Sequence, residues 1–100
     1  MHIIQYSYSW TATKEQLNIK KHGISFSTAI RIFDNDITYD EMQIVDGEER
    51  WKTIGPVDGI VLVVISTERP PYTRIISARP AEGEIRQSLW ERRKHGRAIF

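Results

Sequence analysis

Gly59-Ile60-Val61-Leu62-Val63-Val64-Ile65-Ser66, then Thr67-Glu68-Arg69-Pro70-Pro71-Tyr72, then Thr73-Arg74-Ile75-Ile76-Ser77-Ala78-Arg79, is the stretch that decides the fold. Ile60 to Ile65 are six consecutive apolar residues, five of them β-branched. Strand side chains alternate, so Val61, Val63 and Ile65 share one face and Ile60, Leu62 and Val64 the other. Apolar residues on both faces predict an interior strand. Pro70 and Pro71 have no N–H to give a ladder and mark a turn. Arg74 to Arg79 returns as the partner strand of a hairpin. Glu68, Arg69, Arg74 and Arg79 surround this apolar ribbon, and charges in such a place call for a purpose.

Outward from the hairpin, the chain divides into short elements. His2 to Trp10 alternates, with His2, Ile4, Tyr6, Tyr8 and Trp10 on one face, and predicts a single half-buried strand. Thr11 or Thr13 can cap a helix that runs to about His22 and stops at Gly23, and Thr13 with Gln16 fits a capping box. Ser25 starts a second helix whose apolar face is Phe26, Ala29, Ile30 and Phe33, ended by Asp34-Asn35-Asp36. Ile37 to Val45 predicts a strand. Asp46-Gly47 is a turn, and Arg50 to Ile54 is a further strand closed by Gly55-Pro56 and Asp58-Gly59. Pro80 suits a first helical position, with Glu82 and Glu84 in the first turn, Ile85 and Leu89 facing inward and Gly96 ending the helix. The expected order is β-α-α-β-β-β-β-α: an α+β domain over residues 1–100, with a mainly antiparallel sheet of four to five strands packed against helices.

The totals exclude several classes. One hundred residues is a common size for one domain, large enough for a core without staples. There is no cysteine, which removes disulfides, thiolate metal sites and a Cys nucleophile. The N-terminus is not a signal peptide, and no stretch is long enough to span a membrane, so the default location is cytoplasmic. His2, His22 and His95 lie far apart, there is no Gly-rich phosphate loop, and neither a metal nor a cofactor is expected. The net charge of +1 hides a polarity. Asp34 to Glu49 holds seven carboxylates, whereas Arg86 to Arg97 holds five cations against Glu91.

Four stretches can carry chemistry. In Gly47-Glu48-Glu49-Arg50-Trp51, strand alternation puts Glu48 beside Arg50, either a base with an anion clamp or a surface ion pair of little worth. Arg74 and Arg79 have opposite parity on an ideal strand and should not meet. Arg79 ahead of a helix start suits a phosphate, but edge protection of the sheet by both arginines is the reading the residues alone favour. In Lys21-His22-Gly23, His22 is a general acid or base, or simply a cation at a helix end. The basic run Arg92-Arg93-Lys94-His95-Gly96-Arg97, with Arg86 before it, suits phosphates, an acidic partner or solvent.

Taken in order, these pieces resemble a known family. Trp10, Lys14, Asn18, Lys21-His22-Gly23-Ile24-x-Phe26, Ala29 and Phe33-Asp34-x-Asp36 are similar to the N-terminal half of BrnT toxins. Gly47-Glu48-Glu49-Arg50-Trp51 and Thr53-Ile54-Gly55 match the middle. Thr67-Glu68-Arg69 and Arg74-Ile75-Ile76-Ser77-Ala78-Arg79 match the end. The resemblance implies a RelE-like fold and a type II toxin, a metal-independent endoribonuclease that cleaves RNA and halts translation. It implies neutralisation by a BrnA-like antitoxin whose ribbon-helix-helix region binds DNA, so that the toxin meets DNA only through that complex. Thr11 departs from the family's usual Asp but still caps. The family's Glu in the last helix falls on Ile85, with Glu84 one place earlier, a shift of about 100° around a helix.

RNA cleavage without a metal needs a base for the 2′-OH, cations for the phosphorane and an acid for the leaving oxygen. On this resemblance Arg79 and Arg50 clamp the scissile phosphate, and Glu48 is the first choice of base, ahead of Glu68. Lys21 and His22 supply charge or the acid, and Arg74, Arg86, Arg92 and Arg93 bind RNA. The hairpin register should keep Glu68 away from Arg79, leaving Arg79 to work with Arg50 and Glu48. The competing readings are a non-catalytic RNA- or protein-binding module and an inactive toxin serving as co-repressor.

Overall fold

The computed structural model describes residues 1–84. The strands are β1 (His2–Gln5), β2 (Tyr8–Thr11), β3 (Tyr39–Val45), β4 (Glu48–Val57), β5 (Ile60–Arg69) and β6 (Tyr72–Pro80). The helices are α1 (Ala12–His22) and α2 (Phe26–Ala29), the latter running into a 3-10 turn, Ile30–Asp34. All six strands form one sheet in the order β1-β2-β6-β5-β4-β3. The class is α+β as expected, but the sheet is larger than four to five strands and it is mixed. The expected C-terminal helix, with Ile85, Leu89 and Gly96, lies outside the described residues.

β5 is the interior strand its composition predicts, flanked by β4 and β6, both antiparallel to it. Leu62, Val63 and Val64 are buried, while Val61 and Ile65 are half-buried. The asymmetry arises because the helices cover one face. Leu62 and Val64 on β5, Ile75 and Ala78 on β6, Val57 on β4 and Trp10 on β2 pack there against Phe26, Ala29, Ile30 and Ile32. Trp10 meets the Phe26 ring edge-on, with centroids 6.0 Å apart.

Three expectations change. His2 to Trp10 is a hairpin rather than one strand: the chain turns at Tyr6-Ser7, and Gln5 pairs with Tyr8. Tyr6 takes φ 57°, a left-handed conformation that a tyrosine in sequence does not announce. The turn leaves β2 free to run parallel beside β6, Tyr8 with Thr73 and Ser9 with Arg74, which makes the sheet mixed. The next strand does not close at Gly55-Pro56. β4 continues to Val57, and β3 begins only opposite Ile54, so Pro56 lies where β4 has no second neighbour needing its N–H. Pro80 is the last residue of β6, opposite Leu62, and not a first helical residue.

The local signals otherwise hold, except that Thr11 is the N-cap and Thr13 lies inside α1, so Thr13 and Gln16 are not a capping box. Thr11 Oγ1 accepts the Lys14 N–H, Gly23 closes α1 at φ 75°, and Lys20, Lys21 and His22 fill its last turn. Ser25 Oγ caps α2 through the Thr28 N–H. Asp46-Gly47 and Asp58-Gly59 are two-residue turns, all four residues having positive φ. Pro70 and Pro71, joined by a cis bond, turn β5 into β6.

Candidate active site

The face of the sheet turned away from the helices is set by register. Val63 of β5 pairs with Ile54 of β4 and Arg79 of β6, and the next row joins Lys52, Ile65 and Ser77. Side chains in one row share a face, so Lys52 and Arg79 stand on the same side as Val63 and Ile65. Arg50 precedes Lys52 by two residues and joins them. Beyond Ile65 the pairing jumps, Ser77 lying opposite Ile65 and Ile75 opposite Ser66. Ile76 is the extra residue of a β-bulge. The bulge reverses parity, so Arg74, opposite Thr67, is brought to the same face as Arg79, contrary to the ideal-strand expectation. The two still differ by four residues along β5, about 13 Å.

Two ion-pair groups occupy this face. At the end near the Asp46-Gly47 turn, Glu48 accepts from Arg50 Nε at 3.2 Å and also from Arg69. Arg69 first, then Arg50, holds the Glu48 carboxyl below the usual carboxylate range. The second group lies across β4, β5 and β6. Arg79 Nη1 donates to Glu84 Oε1 at 3.3 Å and Arg79 Nη2 to Glu84 Oε2, a two-pronged contact. Lys52 Nζ lies 3.7 Å from the same Oε2. The side chains of Glu84 and Lys52 are only 14% and 18% exposed, so this group is more shielded from solvent than a surface pair. The Arg79 hydrogen bond is the chief reason that the Glu84 carboxyl is lowered to about 2.

The expected residues therefore separate. Arg79 does not meet Arg50 and Glu48 directly, because β5 lies between β6 and β4 and Arg79 is level with Ile54. It meets Lys52 through Glu84. Glu68 pairs with Thr73 next to the turn, on the helix face, well away from Arg79. Lys21 and His22 are at the end of α1 on the helix side. His22 borders a cavity with Ile24, Val57, Leu62 and Pro80. Arg86, Arg92 and Arg93 lie outside the described residues. Sequence reasoning missed Lys52, although its parity with Arg50 places it on the same face. It also left Glu84 in doubt, and only the path of the chain after Pro80 shows where that carboxylate goes.

The two faces differ in charge. The far face carries Arg50, Lys52, Arg69, Arg74 and Arg79 against Glu41, Glu48 and Glu84. The helix face of the same four strands carries Asp40, Glu49 and Glu68 and, among its described residues, no Lys or Arg. Where the helices stop, a cleft opens on that face among Tyr8, Phe33, Asp40, Trp51 and Glu68. Burial raises the pKa of the Tyr8 hydroxyl, and the Asp34 and Glu68 charges raise it further. Among the described residues no cluster of three His, Cys, Asp or Glu side chains could hold a metal ion, and no helix is long and apolar enough to cross a membrane.

Fold and face together define a small α+β protein whose sheet carries an excess of cations on one face. The family model described as ribonuclease toxin, BrnT, of type II toxin-antitoxin system matches residues 10–84. The chain belongs to this family of ribonuclease toxins, and a type II system implies an antitoxin partner. A comparison with curated proteins gave no match.

Proposed function

We propose that the chain is a metal-independent endoribonuclease of RelE-like fold that cleaves RNA in the cytoplasm and so halts translation. The observation that carries this reading is the convergence of Arg79 and Lys52 on a single carboxylate, on the cationic face and over the β5 ridge. Two cations aimed at one oxyanion are what a phosphorane requires. Arg79 holds the scissile phosphate, and Arg50 extends the positive surface along β4. Arg74 binds a neighbouring phosphate. The 2′-oxygen gives up its proton and attacks phosphorus in line, the bond to the 5′-oxygen breaks, that oxygen takes a proton from solvent water, and the products are a 2′,3′-cyclic phosphate and a 5′-hydroxyl.

Glu48, the first choice of base, stands about 13 Å along β4 from Lys52 in the separate Arg50 and Arg69 group, so it serves as base only where the RNA bends its 2′-hydroxyl toward that end of the face. It is ionised at neutral pH, as a base must be, but Arg69 and Arg50 weaken its basicity, so electrostatic stabilisation supplies the larger share of the rate. Lys21 and His22 have no part in this clamp, because they lie on the helix side of the sheet. Arg86, Arg92 and Arg93 belong to the RNA-binding proposal through their charge alone. The antitoxin is BrnA-like, with a ribbon-helix-helix region through which the complex meets DNA.

The test is incubation of purified protein with RNA in excess chelator, followed by identification of product ends. Cleavage giving cyclic phosphate, suppressed by added antitoxin, is the expected result. Cleavage that needs an added divalent ion would overturn metal independence. RNA binding without cleavage would favour a non-catalytic module or an inactive co-repressor.

A further inference from the structure

We propose that Lys52 and Arg79 form one phosphodiester-binding site and that Glu84 occupies it as an internal stand-in for the phosphate, which RNA must displace. The proposal deepens the ribonuclease reading and rests on it.

A phosphodiester presents two unbridged oxygens about as far apart as those of a carboxylate, and a guanidinium grips either through two parallel N–H groups. Glu84 shows that grip: Oε1 and Oε2 take separate nitrogens of Arg79, and Oε2 also faces Lys52 Nζ at 3.7 Å. The sheet holds the two cations in place. Arg79 stands opposite Val63 and Lys52 opposite Ile65, so their side chains rise from both flanks of β5 over its half-buried apolar ridge. Glu84 comes from outside the sheet, four residues after β6 ends at Pro80. Its Oε1 also accepts the Glu82 N–H at 2.9 Å, so the carboxylate is held by a local turn outside the sheet ladder. The cations are thus built into the framework and the anion is the replaceable part.

Displacement gives opposite signs to the two substitutions. Removing the Glu84 charge frees both cations and tightens RNA binding, on the order of fivefold, as expected for losing a competing, partly shielded ion pair. Removing the Lys52 charge weakens binding and lowers the slope of log affinity against log salt by about one.

The experiment measures binding of a 2′-O-methyl RNA octamer, which cannot be cleaved through the 2′-oxygen, by fluorescence anisotropy. Wild type, Glu84→Gln and Lys52→Met are compared over a salt series, with circular dichroism confirming that each is folded. Tighter binding by Glu84→Gln together with the smaller salt slope of Lys52→Met is the expected result. Unchanged or weaker binding by Glu84→Gln, or an unchanged slope for Lys52→Met, would overturn the proposal. Cleavage of the unmodified octamer by wild type tests the parent reading separately. Absence of cleavage with the binding pattern intact would remove the ribonuclease assignment and leave a phosphodiester-binding site.

Discussion

Asn18 and Glu84 show how single polar residues work on opposite sides of this sheet. Asn18 Nδ2 donates to the carbonyls of Ile24 and Ala78 at 2.9 and 2.8 Å, and its Oδ1 accepts the Ala78 N–H at 3.1 Å. β2 pairs with β6 only at Thr73 and Arg74, so the side chain acts as a substitute strand for Ala78 and ties α1 to the sheet. Asn18→Ala leaves those buried backbone groups unsatisfied and should cost about 2–4 kcal/mol in urea unfolding. A loss within experimental error would mean that water replaces the amide at no cost. Glu84 sets a pH dependence. Its folded-state pKa, about 2, is depressed from the usual 4.5, so its contribution to stability is present above about pH 4.5. That contribution is lost as pH falls toward 2. Glu84→Gln should flatten the acid limb of a urea-midpoint against pH curve across this window, and an unchanged limb would count against the pairing with Arg79.

At the level of elements, the chain advertised its caps and tight turns and concealed its irregularities. Gly23, Ser25, Asp46-Gly47 and Pro70-Pro71 were legible because each changes the backbone chemistry where it stands. The turn at Tyr6-Ser7 carries no such residue, and its alternation reads through unbroken. The Ile76 bulge was hidden for another reason: Ile75-Ile76 looks the same whether or not the ladder skips a residue, and only pairing with Ile65 and Ser66 reveals the reversal that brings Arg74 beside the other cations. Gly55 marks a further constraint of this kind. A β-carbon there would stand 3.0 Å from Thr38 Cγ2 and 3.3 Å from Ile32 Cγ1, because the 3-10 turn lies directly on β4. Gly55→Ala should cost about 1–3 kcal/mol through overpacking, measured as a lower urea midpoint. A neutral result would show that Thr38 and Ile32 yield easily.

Across the whole molecule, strands β3 to β6 carry an excess of cations on the far face and, among the described residues, carboxylates without Lys or Arg on the helix face. Hydrophobic periodicity revealed which strands are buried, and family resemblance marked Arg50 and Arg79. Neither could show that β5 stands between those arginines or that Lys52 and Glu84 fill the gap, since both facts depend on strand order and on where the chain goes after Pro80. The charge asymmetry predicts that RNA binding weakens steeply with salt, and that Arg74→Ala reduces the slope by about one without changing sequence preference. An unaltered slope would place Arg74 outside the RNA path. The most direct measurement is the cleavage rate of one RNA by wild type, Arg79→Ala and Arg31→Ala, all verified as folded. Arg31 serves as control because its guanidinium is paired with Asp58 at 2.7 and 2.8 Å, away from the proposed clamp. A fall of about 10²–10³ for Arg79→Ala with Arg31→Ala unchanged is the expected result. Undiminished cleavage by Arg79→Ala would contradict a catalytic site on the cationic face.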